Sequence, residues 1–294
     1  MEHLLWKAIV DVLSTLDQPA KPTAFDYSDA DIVKVYYWSV ICDRPLSWAC
    51  RRAHWPIPLR KRKLPSPATL SRRLRSSSVA TLLTALERRV IAPRGSSLFW
   101  MIDGKPLTIG GCSKDRQAGY GRAAGGKAKG YQLHALVAAD GQVAGWRIAP
   151  MNRDERVMAE RLLKAAPADV VGYVAADTNY DSNRLHEICE MRSNLQLVTL
   201  RRYGASAGLG HRSQTVGRLR SMALTEGPVF GLGLQLLQDR SDIERQFGNL
   251  TNWSCGLSNL PAWVRTHRRV AAWVQAKLTL TQLKRDLKLR TCAV

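Results

Sequence analysis

Carboxylates are scarce in this sequence: 24 Asp and Glu stand against 44 Lys and Arg among 294 residues, a formal net charge of +20. A surface with so few anions carries a field that attracts polyanions, so nucleic acid is the first partner to consider. Cysteine is also thin. The six, at 42, 50, 112, 189, 255 and 292, form no C-x-x-C pair and no His/Cys cluster at zinc spacing, which excludes a disulfide framework and a zinc site and fits a reducing cytosol. No apolar run approaches the ~18 residues of a membrane span. The opening residues, with an acid at Glu2, no basic n-region and no small-residue cleavage site, do not read as a secretory signal. A soluble, intracellular protein is expected, without internal repeats or low-complexity tracts. The 45% hydrophobic and 23% charged content excludes disorder as the main state.

A chain of this length suggests roughly two domains at ~100 to 200 residues each. The positive charge is uneven: +8 over residues 1–95, +2 over 96–200 and +10 over 201–294. Apolar period changes too, near Pro93 to Ser97. Residues 1–95 are therefore read as a small basic all-α domain and 96–294 as an α/β domain ending in a helical region. In the first, Leu5, Ile9, Val12, Leu13 and Leu16 predict a helix over 3–16, Asp29 a cap for a helix through Ile41, and Leu46 to His54 a third helix. Ser66-Pro67, an N-cap followed by proline at the first helical position, opens a short helix carrying Arg72, Arg73 and Arg75. With Arg60, Lys61, Arg62 and Lys63 just before it, this region suits a DNA duplex. A solvated charge run explains that tetrad equally well.

Beyond Leu98 the pattern turns strand-like, with Leu98 to Ile102 ending in Asp103 and further strands over Gly130 to Val137 and Val143 to Ile148. Asn152 and Glu155 suggest a capping box for a helix to Ala165. A buried strand, Val170 to Ala176, ends at Asp177. A helix from Ser182 to Arg192 and a strand at Leu195 to Leu200 follow, then a Gly-rich stretch at 204–210, a helix around Asp239 to Leu250 and a long helical region from Pro261 to Leu289. Nine tryptophans, among them Trp253, Trp263 and Trp273, are read first as packing residues.

Two strands that each end in an aspartate and a helix bearing a glutamate gather Asp103, Asp177 and Glu244 around one sheet edge. Oxygen-only ligands of this kind suit Mg²⁺, and two such ions stabilise both the attacking and the leaving oxygen in phosphoryl displacement. Each has a plainer reading: Asp103-Gly104 as a turn, Asp177 as an Asx turn or cap with Asp181 its rival, and Glu244 as the far half of a capping box with Ser241.

At these residues the sequence resembles the RNase H-like DDE transposases encoded by bacterial insertion sequences. Ile102-Asp103-Gly104-Lys105-Pro106-Leu107, with Gly111 to Asp115, Tyr120-Gly121-Arg122 and Lys129 to His134, is similar to the family's first block. Ala176-Asp177-Thr178-Asn179-Tyr180-Asp181-Ser182 resembles the second, and Arg240-Ser241-Asp242-Ile243-Glu244-Arg245-Gln246-Phe247-Gly248 the third. The resemblance covers about residues 97–280. It implies an RNase H-like mixed sheet with flanking helices, and a metal-binding triad of Asp103, Asp177 and Glu244 holding two Mg²⁺ ions that Mn²⁺ can replace. Arg240, four residues before the glutamate, is implied as a phosphate contact. A tyrosine and a lysine of some relatives are replaced by Leu237 and Thr251, so their contacts do not transfer.

By the same resemblance the protein would cut DNA at element ends and join them to target DNA. Its partners would be the terminal inverted repeats and the target duplex, its assembly a homodimer in a synaptic complex, and its place the bacterial cytoplasm and nucleoid. A silent DNA-binding relative and a nuclease without strand transfer are the alternatives.

Overall fold

A computed structural model describes residues 1–16, 26–60, 63–91, 97–111, 113–192, 194–202, 213–227, 230–239 and 260–292. Lys61, Arg62, Arg240, Glu244, Trp253, the 204–210 stretch and all but the first residue of the expected Asp239 to Leu250 helix lie outside the described residues. The rest belongs to two compact units, one of Met1–Ala92, Leu250–Val264 and Ala271–Val294, the other of Pro93–Asn249 and Arg265–Val270. Among the described residues no helix is long and apolar enough to cross a membrane.

The first unit is all helix. α1 (Glu2–Ser14) buries Leu5, Trp6, Ile9 and Leu13 at helical spacing, and α2 (Asp29–Ile41) is buried around nearly its whole circumference. Such a helix sits inside its bundle; α1, α3 (Leu46–Ala49), α4 (Pro67–Arg73) and α5 (Ser77–Ile91) all pack on it. Ser28, not Asp29, caps α2. Its hydroxyl accepts from the Asp31 amide at 3.1 Å while Asp31 accepts from the Ser28 amide at 3.2 Å. Ser66 and Pro67 open α4 as the sequence predicts, with the Ser66 hydroxyl 3.1 Å from the Thr69 amide.

The expected helix Leu46 to His54 is broken: α3 stops at Ala49 and a 3-10 turn covers Arg52–His54. Aromatic packing explains the break. The Trp55 indole N–H takes the Ala49 carbonyl at 2.7 Å, and its ring stacks on Trp38 with centroids 5.1 Å apart and meets Trp6 edge-on at 5.8 Å. The His54 ring lies flat against Trp48 at 4.6 Å. These tryptophans are core, as their abundance suggested.

Helix α10 (His267–Cys292) begins later than the expected Pro261. From Ala271 onward it belongs to the helical unit, whereas the sequence placed it with the sheet. The reason is burial: Trp273, Val274, Leu278, Leu280 and Leu283 are inside, as is Lys277. That lysine donates to the Val40 carbonyl at 3.2 Å and pairs with Asp43. A cation there meets the negative end of the α2 dipole.

The second unit is built on a six-stranded sheet: β1 (Phe99–Thr108), β2 (Gly119–Ala123), β3 (Gly126–Ala138), β4 (Val143–Pro150), β5 (Gly172–Ala175) and β6 (Leu195–Val198). The order is β2-β3-β1-β5-β6, with β4 also on β3. β1 to β4 pair antiparallel, while β5 and β6 run parallel to β1. This is the RNase H-like mixed sheet with flanking helices, and the all-α region precedes it. α6 (Glu155–Ala165) and α7 (Asn183–Glu190) cover one face, where Trp100, Ile102, Leu136, Val174, Ala176 and Leu197 meet Ala159, Leu162, Leu163, Leu185 and Ile188. α8 (Val216–Glu226) and α9 (Phe230–Asp239) follow β6. Asp154 caps α6 in place of the expected Asn152 and Glu155 pair, because the Glu155 carboxylate instead accepts from Gln132 Nε2 at 2.5 Å.

One arginine of the DNA-facing set is corrected by this architecture. Arg73 points into the helical unit, with Nη2 2.6 Å from Asp29 Oδ1 and Nη1 3.1 Å from the Tyr27 carbonyl, and the pair's side chains are 7% and 13% exposed. Removing one partner of such a pair strands a buried charge, at about 3 to 5 kcal/mol. Arg73→Met should lower unfolding stability by about 3 kcal/mol in urea titration, while exposed Arg72→Met stays within about 0.5 kcal/mol. Equal, small effects at both positions would return Arg73 to the surface.

Candidate active site

Parallel pairing sets Phe99 against Tyr173, Trp100 against Val174 and Met101 against Ala175. Two residues beyond the last pair stand Asp103 and Asp177. Side chains alternate along a strand, so both aspartates share the face of Met101 and Ala175, opposite the apolar layer under α6 and α7. Neighbouring strands are ~4.8 Å apart, which brings the two carboxylate-bearing positions side by side. They lie toward the C-terminal ends of parallel strands, where open α/β sheets place ligands. Although β5 ends at Ala175, the Ala176 amide still donates to the Val198 carbonyl at 3.1 Å, so Asp177 leaves the sheet in line.

The turn reading of Asp103-Gly104 does not hold, for β1 continues to Thr108. Asp103 is paired across to Ala135, whose methyl leaves space beside the carboxylate. Its Oδ1 accepts from the Gly104 amide at 2.7 Å. Asp177 is held in the same way: Oδ1 accepts from the Thr178 amide at 2.5 Å, as the cap of a 3-10 turn over Thr178–Tyr180, and Oδ2 lies 3.5 Å from Asn179 Nδ2. Gly104 has no room for a side chain, because the Gln132 amide and the His134 ring occupy the place a Cβ would take. Lys105 follows on the aspartate face, half-buried, and burial lowers its pKa from the ordinary lysine value.

Asp181, the rival, is doing something else. Ser182 caps α7, and Asp181 is buried in a fork with Arg218 of α8, Oδ1 to Nε 2.8 Å and Oδ2 to Nη2 2.7 Å. The Arg202 amide donates to Oδ2 at 2.9 Å and His186 Nε2 lies 3.3 Å from Oδ1. Burial alone would raise this carboxyl's pKa; the hydrogen bonds from Arg218, His186 and Arg202 outweigh it and hold the carboxyl well below the ordinary range. The turn that presents Asp177 is thereby fastened to α8. No sequence signal joins residues 37 apart, so this anchor was invisible beforehand. The same is true of Asp115, which accepts from Tyr131 Oη at 2.5 Å and from the His267 amide at 3.1 Å.

His134 is buried on β3, and neither ring nitrogen has a hydrogen-bond partner among the described residues. Burial pushes its pKa down to about 4.

The remaining expected contacts belong to the helical unit. Arg60 is exposed with Nε on the Trp55 carbonyl at 2.9 Å. Lys63 is exposed beside Asp26 at 3.5 Å and 5.8 Å above the Tyr27 ring. Arg72 and Arg75 are exposed. Among the described residues no group of three His, Cys, Asp or Glu is placed to hold a metal. Asp103 and Asp177 supply two hard oxygen ligands, and the third expected, Glu244, lies outside the described residues.

A family model described as the transposase DDE domain matches residues 96–281, a span that begins just before β1 and takes in both aspartates. No curated protein matches the chain.

Two outcomes test these assignments. Asp181→Asn leaves Arg218 buried without its counter-charge and should cost about 3 to 5 kcal/mol in chemical denaturation, whereas Asp177→Asn keeps an oxygen for the Thr178 amide and should barely change the midpoint. The opposite ranking would exchange their roles. For His134, the unfolded chain takes up a proton near pH 6.5 and the folded unit only near 4, so the unfolded state binds more protons between them. Stability should fall as pH drops through that window, by at most about 1.4 kcal/mol per pH unit. His134→Leu should flatten that slope, and an unaltered slope would show that the ring is not held neutral.

Proposed function

Because the chain belongs to the transposase DDE domain family, we propose that its sheet unit cuts DNA strands at the ends of a mobile element and joins the exposed 3′-hydroxyls to target DNA. The observation that carries this reading is the register of β1 and β5, which pairs Met101 with Ala175 two residues before Asp103 and Asp177. The family generally uses divalent metal ions. Two adjacent carboxylates with no soft ligand beside them fit a hard cation, and Mg²⁺ is the one that also takes phosphate oxygens as ligands. When bound, a Mg²⁺ pair would stabilise charge on the attacking and leaving oxygens.

Around that chemistry the protein's own groups divide the work. Asp103, Asp177 and Glu244 would be the residues that hold these ions. The backbone amides of Gly104 and Thr178 each orient one oxygen of their aspartate, which sets the direction in which the carboxylate meets a ligand. Arg240 would offset phosphate charge. Arg60, Lys61, Arg62, Lys63, Arg72 and Arg75 would grip element ends through the DNA backbone, since cations on phosphates position a duplex without reading it. Joining two ends requires two active sites, which supports a homodimer in the synaptic complex. On this reading, and on the resemblance to insertion-sequence enzymes, the protein would act at the nucleoid of a bacterial host.

The test is a supercoiled plasmid carrying the inverted repeats that flank the gene. Wild-type protein in Mg²⁺ should yield both nicked and joined products. Asp103→Asn, Asp177→Asn and Glu244→Gln should each lose cleavage and joining by several orders of magnitude while binding the ends with near-unaltered affinity, and Mn²⁺ should restore a trace. Cleavage without joining would make the protein a nuclease. Binding without cleavage in the wild type would leave a DNA-binding relative that has lost its chemistry.

A further inference from the structure

The β2–β3 hairpin separates its residues by face more sharply than any other pair of strands. The cross-strand pairs Gly119 with Gly130, Gly121 with Ala128, and Ala123 with Gly126 put nothing larger than a methyl on one side. The intervening pairs, Tyr120 with Lys129 and Arg122 with Lys127, put an aromatic ring and three cations on the other. The small side is explained by close packing. A Cβ at Gly121 would collide with the Met151 carbonyl, one at Gly119 with Asn152, and one at Gly130 with the Leu107 carbonyl. Packing explains nothing on the opposite side, where Tyr120 is 53% exposed and Arg122 and Lys127 are also exposed.

Strand parity fixes which way that side looks. Thr108 pairs with Gly130, and Gly130 with Gly119, so the glycine row continues the face of Ile102 and Gly104. The tyrosine and cation row therefore continues the face of Asp103 and Lys105. Lys129 is engaged, its Nζ donating to the Ser113 carbonyl at 2.7 Å. Lys127 lies 5.8 Å from the Tyr120 ring centroid, and among the described residues neither it nor Arg122 has a carboxylate partner. Asp103 pairs with Ala135, and from Ala135 to Lys129 and Lys127 is six and eight residues of β3, about 20 and 27 Å, or roughly six to eight base pairs along a duplex.

Resting on the transposase reading, we propose that Tyr120, Arg122 and Lys127 form a second DNA-holding surface. They would contact the phosphodiester backbone of the duplex being cut, roughly six to eight base pairs from the scissile bond. A twisted two-stranded ribbon fits along a duplex groove, its two cations take phosphates on either side, and the tyrosine ring lies against the sugar edge. The surface positions the duplex across Asp103 and Asp177 and carries no chemistry of its own.

A competing explanation is that Lys127 and Arg122 only guard an exposed edge hairpin against pairing with another sheet, a common use of charge at sheet edges. The two are separated by binding of the full-length protein to a short linear duplex of random sequence, measured by fluorescence anisotropy over a range of salt concentrations. Each phosphate contact contributes about 0.9 to the slope of log affinity against log salt. Arg122→Gln with Lys127→Gln should therefore flatten the slope by about 1.8, with an unchanged thermal melt. Tyr120→Ala should weaken binding several-fold without altering the slope. Lys164→Gln, on α6 over the opposite face, should change neither. Hydroxyl-radical footprinting on an element end should lose protection roughly eight base pairs from the cut in the double variant and nowhere else.

An unchanged slope, or self-association of the double variant with normal DNA affinity, would overturn the proposal in favour of edge protection. A protein that shows the hairpin-dependent slope but never cuts DNA would keep this surface and refute the transposase reading. One that cuts while its slope ignores the hairpin would do the reverse.

Discussion

A slip of β5 by one residue against β1 would turn Asp177 into the apolar layer under α6 and α7 and expose Ala176 in its place. The register of these two strands is thus the constraint on which the rest of the site depends. It is enforced by burial: Trp100, Ile102, Val174 and Ala176 are all almost fully inside on one face, and Met101 and Ala175 on the other. A one-residue shift would bury Asp177 without a partner and misfit the close packing around Trp100 and Ile102, so the strands keep one register. The aspartates are the first positions after those residues, Asp103 within β1 and Asp177 just past β5, where a charged group can meet water, metal or phosphate.

Holding the strand does not hold the turn that follows it. Asp177 opens a 3-10 turn of three residues, a segment too short to have stability of its own. The buried fork between Asp181 and Arg218 ties the far end of that turn to α8, and the Arg202 amide adds a third bond to the same carboxylate. A buried ion pair gives little net stability compared with an apolar pair of the same shape, but it specifies one geometry. Specifying geometry is what a ligand-bearing turn needs, since misplacement by ~1 Å can cost about a hundredfold in rate. The charge that resembles a catalytic group in the sequence is therefore a fastening for its neighbour.

The same distinction applies to the excess of cations. Arg73, Arg218, Lys129 and Lys277 are engaged within the protein, with Asp29, Asp181, the Ser113 carbonyl and Asp43 respectively. The positive field at the surface comes from those left exposed, among them Arg72, Arg75, Arg122 and Lys127. Charge counted from composition overstates the binding surface wherever a cation is used to satisfy a buried carboxylate or the carbonyl end of a helix.

What the sequence determined by itself was much of what near neighbours and ordered blocks govern. The helices α1 and α2, the Ser66-Pro67 start of α4, the two aspartates that follow apolar strand segments and the three-block resemblance were all legible, and they sufficed for the fold class and the family. What only the tertiary structure decided was which of several chemically identical side chains faces what. Asp177 and Asp181 are four residues apart in one motif, and Arg72 and Arg73 are adjacent. In each pair one faces outward and one is buried against a partner 37 or 44 residues away. The physical reason is that a carboxylate or guanidinium has the same local preferences in either role. Its role is set by the partner that folding brings to it, and that partner leaves no trace in the residues beside it.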